Sequence, residues 1–499
     1  MSRLGLGRLF GLALTLLASP LAVSGDQAID PVDLEALTEA IDRIRQTESV
    51  AATAFVIVAR GGSSTVRTLG IRDRVTREPV TEATRFRIGS LTKLFVSLGM
   101  LKAEASGRLA LDSPVRRLAP AIPLKNPWSI SHPVQLRHLL EHTAGLRDLT
   151  PREFDHNTPL PLEEALQVAA EARVCQWRPG RHASYSNAGY GLAAYAFERA
   201  TGQSLTDYVS AHVLGPLTME SATFAGEGAV RATLATGYDR DGRTEIPYWH
   251  MIFPAFGALN VQPRDMVAPL RLLLNRGRLG DRRLLSADAI DRLEQPTTTL
   301  GARAGLDHGY GLGIYSNVAQ GFRFYGHGGD ADGYLARLGY APQLGRGYFL
   351  VINAFNQEAL SRMRDRIEAA LVGGAAPPAP PPVPEAAADY GLRWAGRYQE
   401  VTTRFAGRRP ETLYITPTEH GIATHVDGTR AEWLAVDEQR FRRAGDPLAT
   451  AIVVAREATV FWQGPNGNFR RIAGSATQPS NESAPGMGAS QPPRSVIGD

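Results

Sequence analysis

The sequence predicts an α+β protein: helices against one antiparallel sheet, with a long helical block set inside it, followed by a small all-β barrel. Three observations predict this. Strand-like apolar runs stand at both ends of the region 30–372 with helical patterns between them, a proline run follows, and short alternating runs close the chain.

Pro31 to Arg45 reads as a helix, with Leu34, Leu37, Ile41 and Ile44 at three- and four-residue spacing. Ala54 to Val58 is a short apolar run ended by Gly61-Gly62, the pattern of a buried strand. From Ser90 to about Leu274 the patterns are helical, broken by Gly and Pro turns. Strand patterns return at Phe322 to Tyr325, Tyr334 to Tyr340 and Tyr348 to Ala354, and Ser361 to Leu371 reads as a closing helix. One sheet assembled from both ends of 30–372 accounts for that order. The six prolines between Pro377 and Pro384 cannot sit in a helix or central strand, so 373–388 is expected to be a stiff linker. Within 389–473, the runs Leu413 to Thr416, Gly421 to His425, Ala449 to Val454 and Thr459 to Trp462 alternate as in a small antiparallel barrel. The Ser-, Pro- and Gly-rich stretch 474–499 is expected to be disordered.

Composition excludes several classes of function. The formal net charge is +4, and no basic run gathers on one face, which argues against nucleic acid as a partner. Arg3 and Arg8 precede the apolar stretch Leu9 to Leu17, and Ala22-Val23-Ser24 offers small residues for cleavage. Residues 1–24 therefore read as a signal peptide, and the mature chain is expected to be periplasmic or secreted. No later segment approaches about 18 uninterrupted apolar residues, so no stable membrane span is expected after signal removal. Cys175 is the single cysteine, so intrachain disulfides are excluded, and its surroundings suit a buried small hydrophobe.

The residues that suggest chemistry begin with Gly89-Ser90-Leu91-Thr92-Lys93, which opens the apolar run Leu94 to Leu101. That run is too hydrophobic all round to lie on a surface, so it reads as a buried helix with Ser90 at its first turn. Lys93 lies one turn later on the same face. A serine hydroxyl is a poor nucleophile until a base takes its proton, and a lysine held in low dielectric can be that base. A serine at a helix start is also a common cap, so the pattern gains weight from what accompanies it. Tyr185 and Asn187 stand two apart in a short loop; a phenol flanked by cations can be held partly as phenolate and shuttle a proton, and Asn187 can orient Lys93. Tyr325-Gly326-His327-Gly328-Gly329-Asp330 follows a strand pattern, its glycines permitting a substrate backbone to approach as an added strand. The N–H of Asp330, with that of Ser90, would form an oxyanion hole.

These elements, in this order, resemble the serine β-lactamase and penicillin-binding protein superfamily, and most of all its class C branch of DD-peptidases, D-amino-acid peptidases and esterases. The resemblance covers about residues 30–372. It is carried also by Gly107 to Val115, Leu136 to Leu146 and Pro254 to Leu259. It implies a β-lactamase/transpeptidase-like fold, Ser90 as the acylated nucleophile, Lys93 as its base and Tyr185 as proton shuttle. Asn187 matches the asparagine of the Tyr-x-Asn element, and His327-Gly328-Gly329 matches Lys-Thr-Gly. The family uses no metal or organic cofactor, and the implied partner is a small-molecule, peptide or ester substrate. His327 and Gly328 depart from the lysine and hydroxyl residue that hold a β-lactam carboxylate, which favours a peptidase or esterase over a true β-lactamase. The region 389–473 is similar to lipocalin-like barrels appended to some of these hydrolases. There Trp394 to Tyr398 would be a first strand and Trp433 and Trp462 core residues; a passive structural appendage is favoured over a role in substrate gating or partner contact.

Three competing readings remain at this level: a genuine β-lactamase, a catalytically inert binding or scaffold module, and a zinc hydrolase. The last rests on His138-Leu139-Leu140-Glu141-His142, which on a continuous helix would set two histidines one turn apart with a glutamate base. An α/β-hydrolase is excluded, because the chain has no G-x-S-x-G elbow.

Overall fold

The computed structural model describes residues 32–473 apart from 155, 157, 227 and 228. The expected signal peptide (1–24) and disordered tail (474–499) lie outside the described residues.

Helix α1 (Leu34–Thr47) is capped by Asp33, whose carboxylate accepts from the N–H of Ala36. Strands β1 (Ala52–Ala59) and β2 (Ser64–Gly70) follow, then helices α2 (Thr92–Ala105), α3 (Leu136–Leu140), α4 (Asn187–Thr201) and α5 (Pro254–Gly257). Strands β3 (Tyr315–Ala319), β4 (Phe322–Ala331), β5 (Tyr334–Ala341) and β6 (Arg346–Ile352) and helix α6 (Gln357–Val372) complete the sheet region. The sheet order is β2-β1-β6-β5-β4-β3, antiparallel throughout. Strand β1 pairs with β6 from Thr53 opposite Ile352 to Ala59 opposite Arg346, so the two ends of the region do build one sheet.

Both faces of that sheet are covered, which is why β1 reads as a continuous apolar run. Phe55 and Ile57 pack with Leu37 and Ile41 of α1 and with Met363 and Ile367 of α6. Ala54, Val56 and Val58 face the helical block, whose centre is α2, where every residue from Thr92 to Leu101 is buried. Strand β4 runs on through Ala331, so the His327–Asp330 segment lies within a strand rather than after one.

Beyond the proline run, Ala387–Trp394 is helix α7, and β7 begins only at Gly396 (Gly396–Glu400). The sequence placed Trp394 in that strand; it is instead the last residue of a helix that packs on the barrel. Strands β8 (Thr412–Thr418), β9 (Gly421–Val426), β10 (Thr429–Ala435), β11 (Arg440–Arg442), β12 (Ala451–Arg456), β13 (Thr459–Gly464) and β14 (Gly467–Ile472) close with β7 into an eight-stranded antiparallel barrel. Its interior is filled by side chains, among them Leu413, Ile422, Phe441 and Phe469. Trp433 and Trp462 meet edge to face there, with ring centroids 5.3 Å apart. Among the described residues, no helix is long and apolar enough to cross a membrane.

Candidate active site

Ser90 sits in the one-turn 3₁₀ segment Gly89–Leu91 that leads into α2, and Lys93 occupies the first turn of α2 itself. Backbone meets backbone here. Gly89 has φ +50°, and a Cβ on it would lie 2.8 Å from the backbone nitrogen and oxygen of Asp330. A Cβ on Gly329 would lie 1.8 Å from the carbonyl oxygen of Ile88. These two glycines let β4 press against the serine turn. Gly329→Ala is expected to cut hydrolytic activity at least about 100-fold, because the strand must withdraw from the nucleophile. Ester hydrolysis, read beside a thermal melt, checks this.

Lys93 is wholly buried and Ser90 only 6% exposed. The Lys93 Nζ lies 2.9 Å from Ser90 Oγ, 2.7 Å from Asn187 Oδ1 and 2.9 Å from the carbonyl oxygen of Phe256 in α5. Burial holds its pKa well below the ordinary lysine value; the Asp148 carboxylate draws it back up, and Arg404 adds to the depression. A neutral amine has two N–H donors and one lone pair. The Asn187 Oδ1 and the Phe256 carbonyl can only accept, so they take both donors. In that neutral form the Ser90 hydroxyl is left to donate its hydrogen to the Lys93 lone pair, whereas an ammonium donates to Ser90 Oγ.

Asn187 is itself fixed. Asp148 Oδ1 accepts from the Asn187 backbone N–H at 2.7 Å, and Asp148 Oδ2 lies 3.2 Å from Asn187 Nδ2. A carboxylate only accepts, so the amide nitrogen faces Asp148 and the amide oxygen faces Lys93.

Tyr185 stacks its ring on this cluster, with Lys93 Nζ 4.8 Å from the ring centroid and the His142 ring 4.2 Å away. The ring is half-buried, while the hydroxyl is out of solvent and forms no hydrogen bond of good geometry. Burial pushes the phenol well above its usual pKa; the neighbouring Ser90 hydroxyl and Arg404 pull the other way without prevailing. This corrects the expectation of a partial phenolate. The direction of both shifts favours a neutral amine on Lys93 and a protonated phenol on Tyr185.

His327 is neutral, its pKa lowered to about 3 by burial and then by Lys93. Its Nδ1 meets the carbonyl of Gly328, which requires a proton on Nδ1, and its Nε2 accepts from the Tyr310 hydroxyl at 2.8 Å. Both ring nitrogens are thus engaged within the protein. The carboxylate of Asp330 turns to the other face of the sheet, bonded to Arg337 at 2.7 Å and to Gln357 at 2.8 Å. The place where a Cβ on Gly328 would sit also meets Arg337. Gly328 and Asp330 therefore offer this site backbone only. Strand β3 pairs with β4 no further than Gly326, so on that side positions 327–331 have no ladder partner.

The zinc reading is overturned by geometry. Helix α3 ends at Leu140, and His142 has φ +57°, so the two histidines do not share a helical face. Glu141 is consumed by Arg292 at 2.6 Å and by the hydroxyls of Thr297 at 2.7 Å and Thr298 at 2.6 Å. His142 Nδ1 accepts from the N–H of Ser186 at 3.0 Å, and His138 Nδ1 from that of Gln135 at 3.1 Å. Cys175 is buried, and its thiol is pushed up to about 12, as suits an inert core residue.

The profile of the Beta-lactamase family matches residues 37–372. The chain belongs to that family. It is a family of serine hydrolases, and the Ser90–Lys93–Tyr185 cluster lies inside the matched region. The esterase EstB of Burkholderia gladioli is 34% identical over 218 residues, 40% of this chain and 53% of that one. A D-aminopeptidase of Cereibacter sphaeroides is 26% identical over 353 residues, 69% of this chain and 64% of that one. The matches thus span from about half to just under two thirds of these relatives. The octameric penicillin-binding protein homologue of Pyrococcus abyssi shares the fold, with a TM-score of 0.57 and 21% identity over 88% of this chain and all of that one.

Sequence reasoning missed two residues of the site. Asp148 follows the His142–Leu146 stretch by two positions and carried no signal of its own. Arg404 comes from the barrel, in the loop between β7 and β8. Its guanidinium reaches Asp148 Oδ2 through Nε at 2.9 Å and Nη2 at 2.8 Å, and lies 4.6 Å from the centroid of the Tyr185 ring. The Asp148 N–H donates to the Arg404 carbonyl at 2.8 Å. Asn468 and Gln463, also of the barrel, donate to the carbonyls of Ala183 and Arg181 at 2.8 and 3.1 Å, gripping the loop that carries Tyr185. The barrel thus contributes contacts to the candidate site, where the sequence favoured a passive appendage.

Proposed function

We propose that this protein hydrolyses an ester or amide through an acyl-enzyme on Ser90, in the manner of class C relatives, as an esterase or peptidase rather than a true β-lactamase. The observation that carries this reading is the Lys93 amine, wholly buried and within 2.9 Å of Ser90 Oγ. As Ser90 Oγ bonds to the carbonyl carbon, its proton passes to Lys93 Nζ. The N–H groups of Ser90 and Asp330 face the developing oxyanion. Tyr185 gives its proton to the leaving oxygen or nitrogen as that bond breaks and is reprotonated from the Lys93 ammonium; a water then bonds to the acyl carbon, giving a proton to Lys93, and Ser90 Oγ leaves as the hydroxyl with that proton, releasing the acid.

Charge narrows the substrate. On the β4 segment beside Ser90, a neutral histidine and a glycine offer no cation to a substrate carboxylate. Asp148, the carboxylate that acts on Lys93, is engaged by Arg404 and Asn187 and so is not offered to a substrate ammonium group. Uncharged acyl groups fit such a site best, and the N-terminal signal pattern supports export.

The test is a substrate panel on purified protein: p-nitrophenyl esters, anilides and amides of neutral acids, D-amino-acid amides and a chromogenic cephalosporin. Ester turnover is expected to lead. Cephalosporin turnover with kcat/KM near ~10⁶ M⁻¹s⁻¹ would overturn the substrate assignment. Tyr185→Phe is expected to slow amide cleavage by about 10²-fold or more and p-nitrophenyl esters far less, because nitrophenolate leaves without a proton. Equal losses on both would remove the role given to Tyr185.

A further inference from the structure

We infer that Arg404 of the barrel is a positioning residue for the nucleophile, acting through Asp148 and Asn187 on Lys93, so that the hydrolase is complete only with its barrel docked. The inference rests on the role proposed for Ser90 and Lys93. It adds that their chemistry is set from a different part of the chain.

The geometry forms a relay without a gap. Arg404 grips Asp148 Oδ2 with two nitrogens, Asp148 holds the backbone and side-chain nitrogens of Asn187, and Asn187 Oδ1 lies 2.7 Å from the Lys93 amine. Asp148 is wholly buried at its side chain, so its charge needs a counterpart, and Arg404 supplies it from the barrel. The same guanidinium stacks on Tyr185, and the neighbouring Phe405 ring stands 6.3 Å from that of Phe154. One loop therefore touches Tyr185 directly and reaches Lys93 through Asp148 and Asn187.

The relay has an electrostatic consequence with a definite sign. The groups facing Lys93 are Ser90 from its own helix, Asn187 from α4, the Phe256 carbonyl and ring from α5, and the Tyr185 and Tyr190 rings. His142 and the β4 residue His327, both kept neutral by burial, interact with it as well. The full charges that act on it are Asp148 and Arg404, which pull its pKa in opposite directions. Removing Arg404 leaves Asp148 uncompensated and favours the ammonium form, which cannot take a proton from Ser90.

The experiment uses full-length protein and the pH dependence of its inactivation by a fluorophosphonate, which reports the reactivity of Ser90 without knowledge of the substrate. The wild type is expected to react above an acid limb set by Lys93. In Arg404→Met that limb moves up by about one pH unit. Adding Asp148→Asn to that variant brings the limb back toward the wild-type position, because the net charge beside Asn187 is restored. Arg404→Lys keeps the charge but loses the bidentate grip, so its limb stays and its plateau falls. Should Arg404→Met fail to fold, Arg404→Lys decides: a lowered plateau with an unmoved limb supports the relay, and an unaltered profile overturns it. Loss of reactivity by one factor at every pH in Arg404→Met, or a limb that Asp148→Asn does not bring back, overturns the relay while leaving the Ser90 reading intact. A wild type that does not react at all removes both.

Discussion

Ser90→Ala is expected to abolish turnover of every substrate the wild type accepts, by on the order of 10⁴-fold or more, with little change in stability. The hydroxyl is the sole atom removed, in a turn whose backbone is set by Gly89 and by the start of α2. A hydrogen on Cβ replaces the hydroxyl in a site that is already buried, so the fold has no reason to object. Steady-state assays against an ester, beside mass spectrometry for the acyl adduct, check it: the wild type gains the acyl mass on Ser90 and the variant gains none. Activity that survives in the alanine variant would place the nucleophile elsewhere, and a catalytically inert scaffold would show no activity to lose.

Lys93→Met is expected to lose activity on the order of 10³-fold or more and, at the same time, to gain stability at neutral pH. The sign of the second effect follows from proton linkage. Burial lowers the Lys93 pKa in the folded state, so between the folded and unfolded values the unfolded chain binds the extra proton. That proton favours unfolding, and the penalty grows as pH falls from the ordinary lysine range toward the depressed folded value. Methionine has no proton to bind and a similar length. Its variant should therefore melt above the wild type at pH 7, with the advantage shrinking as pH rises toward about 10. A melt that drops at all pH values would mean that the three contacts of Nζ outweigh the cost of burying it.

Much of this molecule was legible in its residues. The sheet was readable because both ends of the region carry apolar runs of strand length, and the buried helix because Leu94 to Leu101 leaves no polar face. Ser90, Lys93, Tyr185 and Asn187 were readable because each is a residue type whose chemistry is short-range and whose spacing is local. What stayed hidden depends on contacts between distant segments. Nothing local separates Arg404 from the many other arginines of the chain; only the closing of the barrel brings it onto Asp148. His327 stood out as a departure from lysine, yet its engagement with Tyr310 needed the turn from β3 to β4. Helix α7 was missed for a local reason: Gly391 weakens the helical pattern, but a Cβ there would lie 2.1 Å from the carbonyl oxygen of Gly421. Close packing against the barrel decided that residue, at the expense of propensity. The histidine pair of 138–142 gave a remote metal alternative only because spacing alone cannot show that the chain has already turned after Leu140.

The pairing of β1 with β6 has a bearing on how the protein is made. The N–H of Ala52 donates to the side chain of Asn353, 301 residues later, at 2.6 Å. During synthesis the first strand can pair at once with β2, but its other edge waits for β6, about three fifths of the chain further on, and the segment bearing Arg404 emerges later still. Long-range pairing of this kind is slow to form, and it exposes apolar strand edges in the interval. On the role inferred for Arg404, hydrolytic power arrives at the end of synthesis instead of accumulating along it.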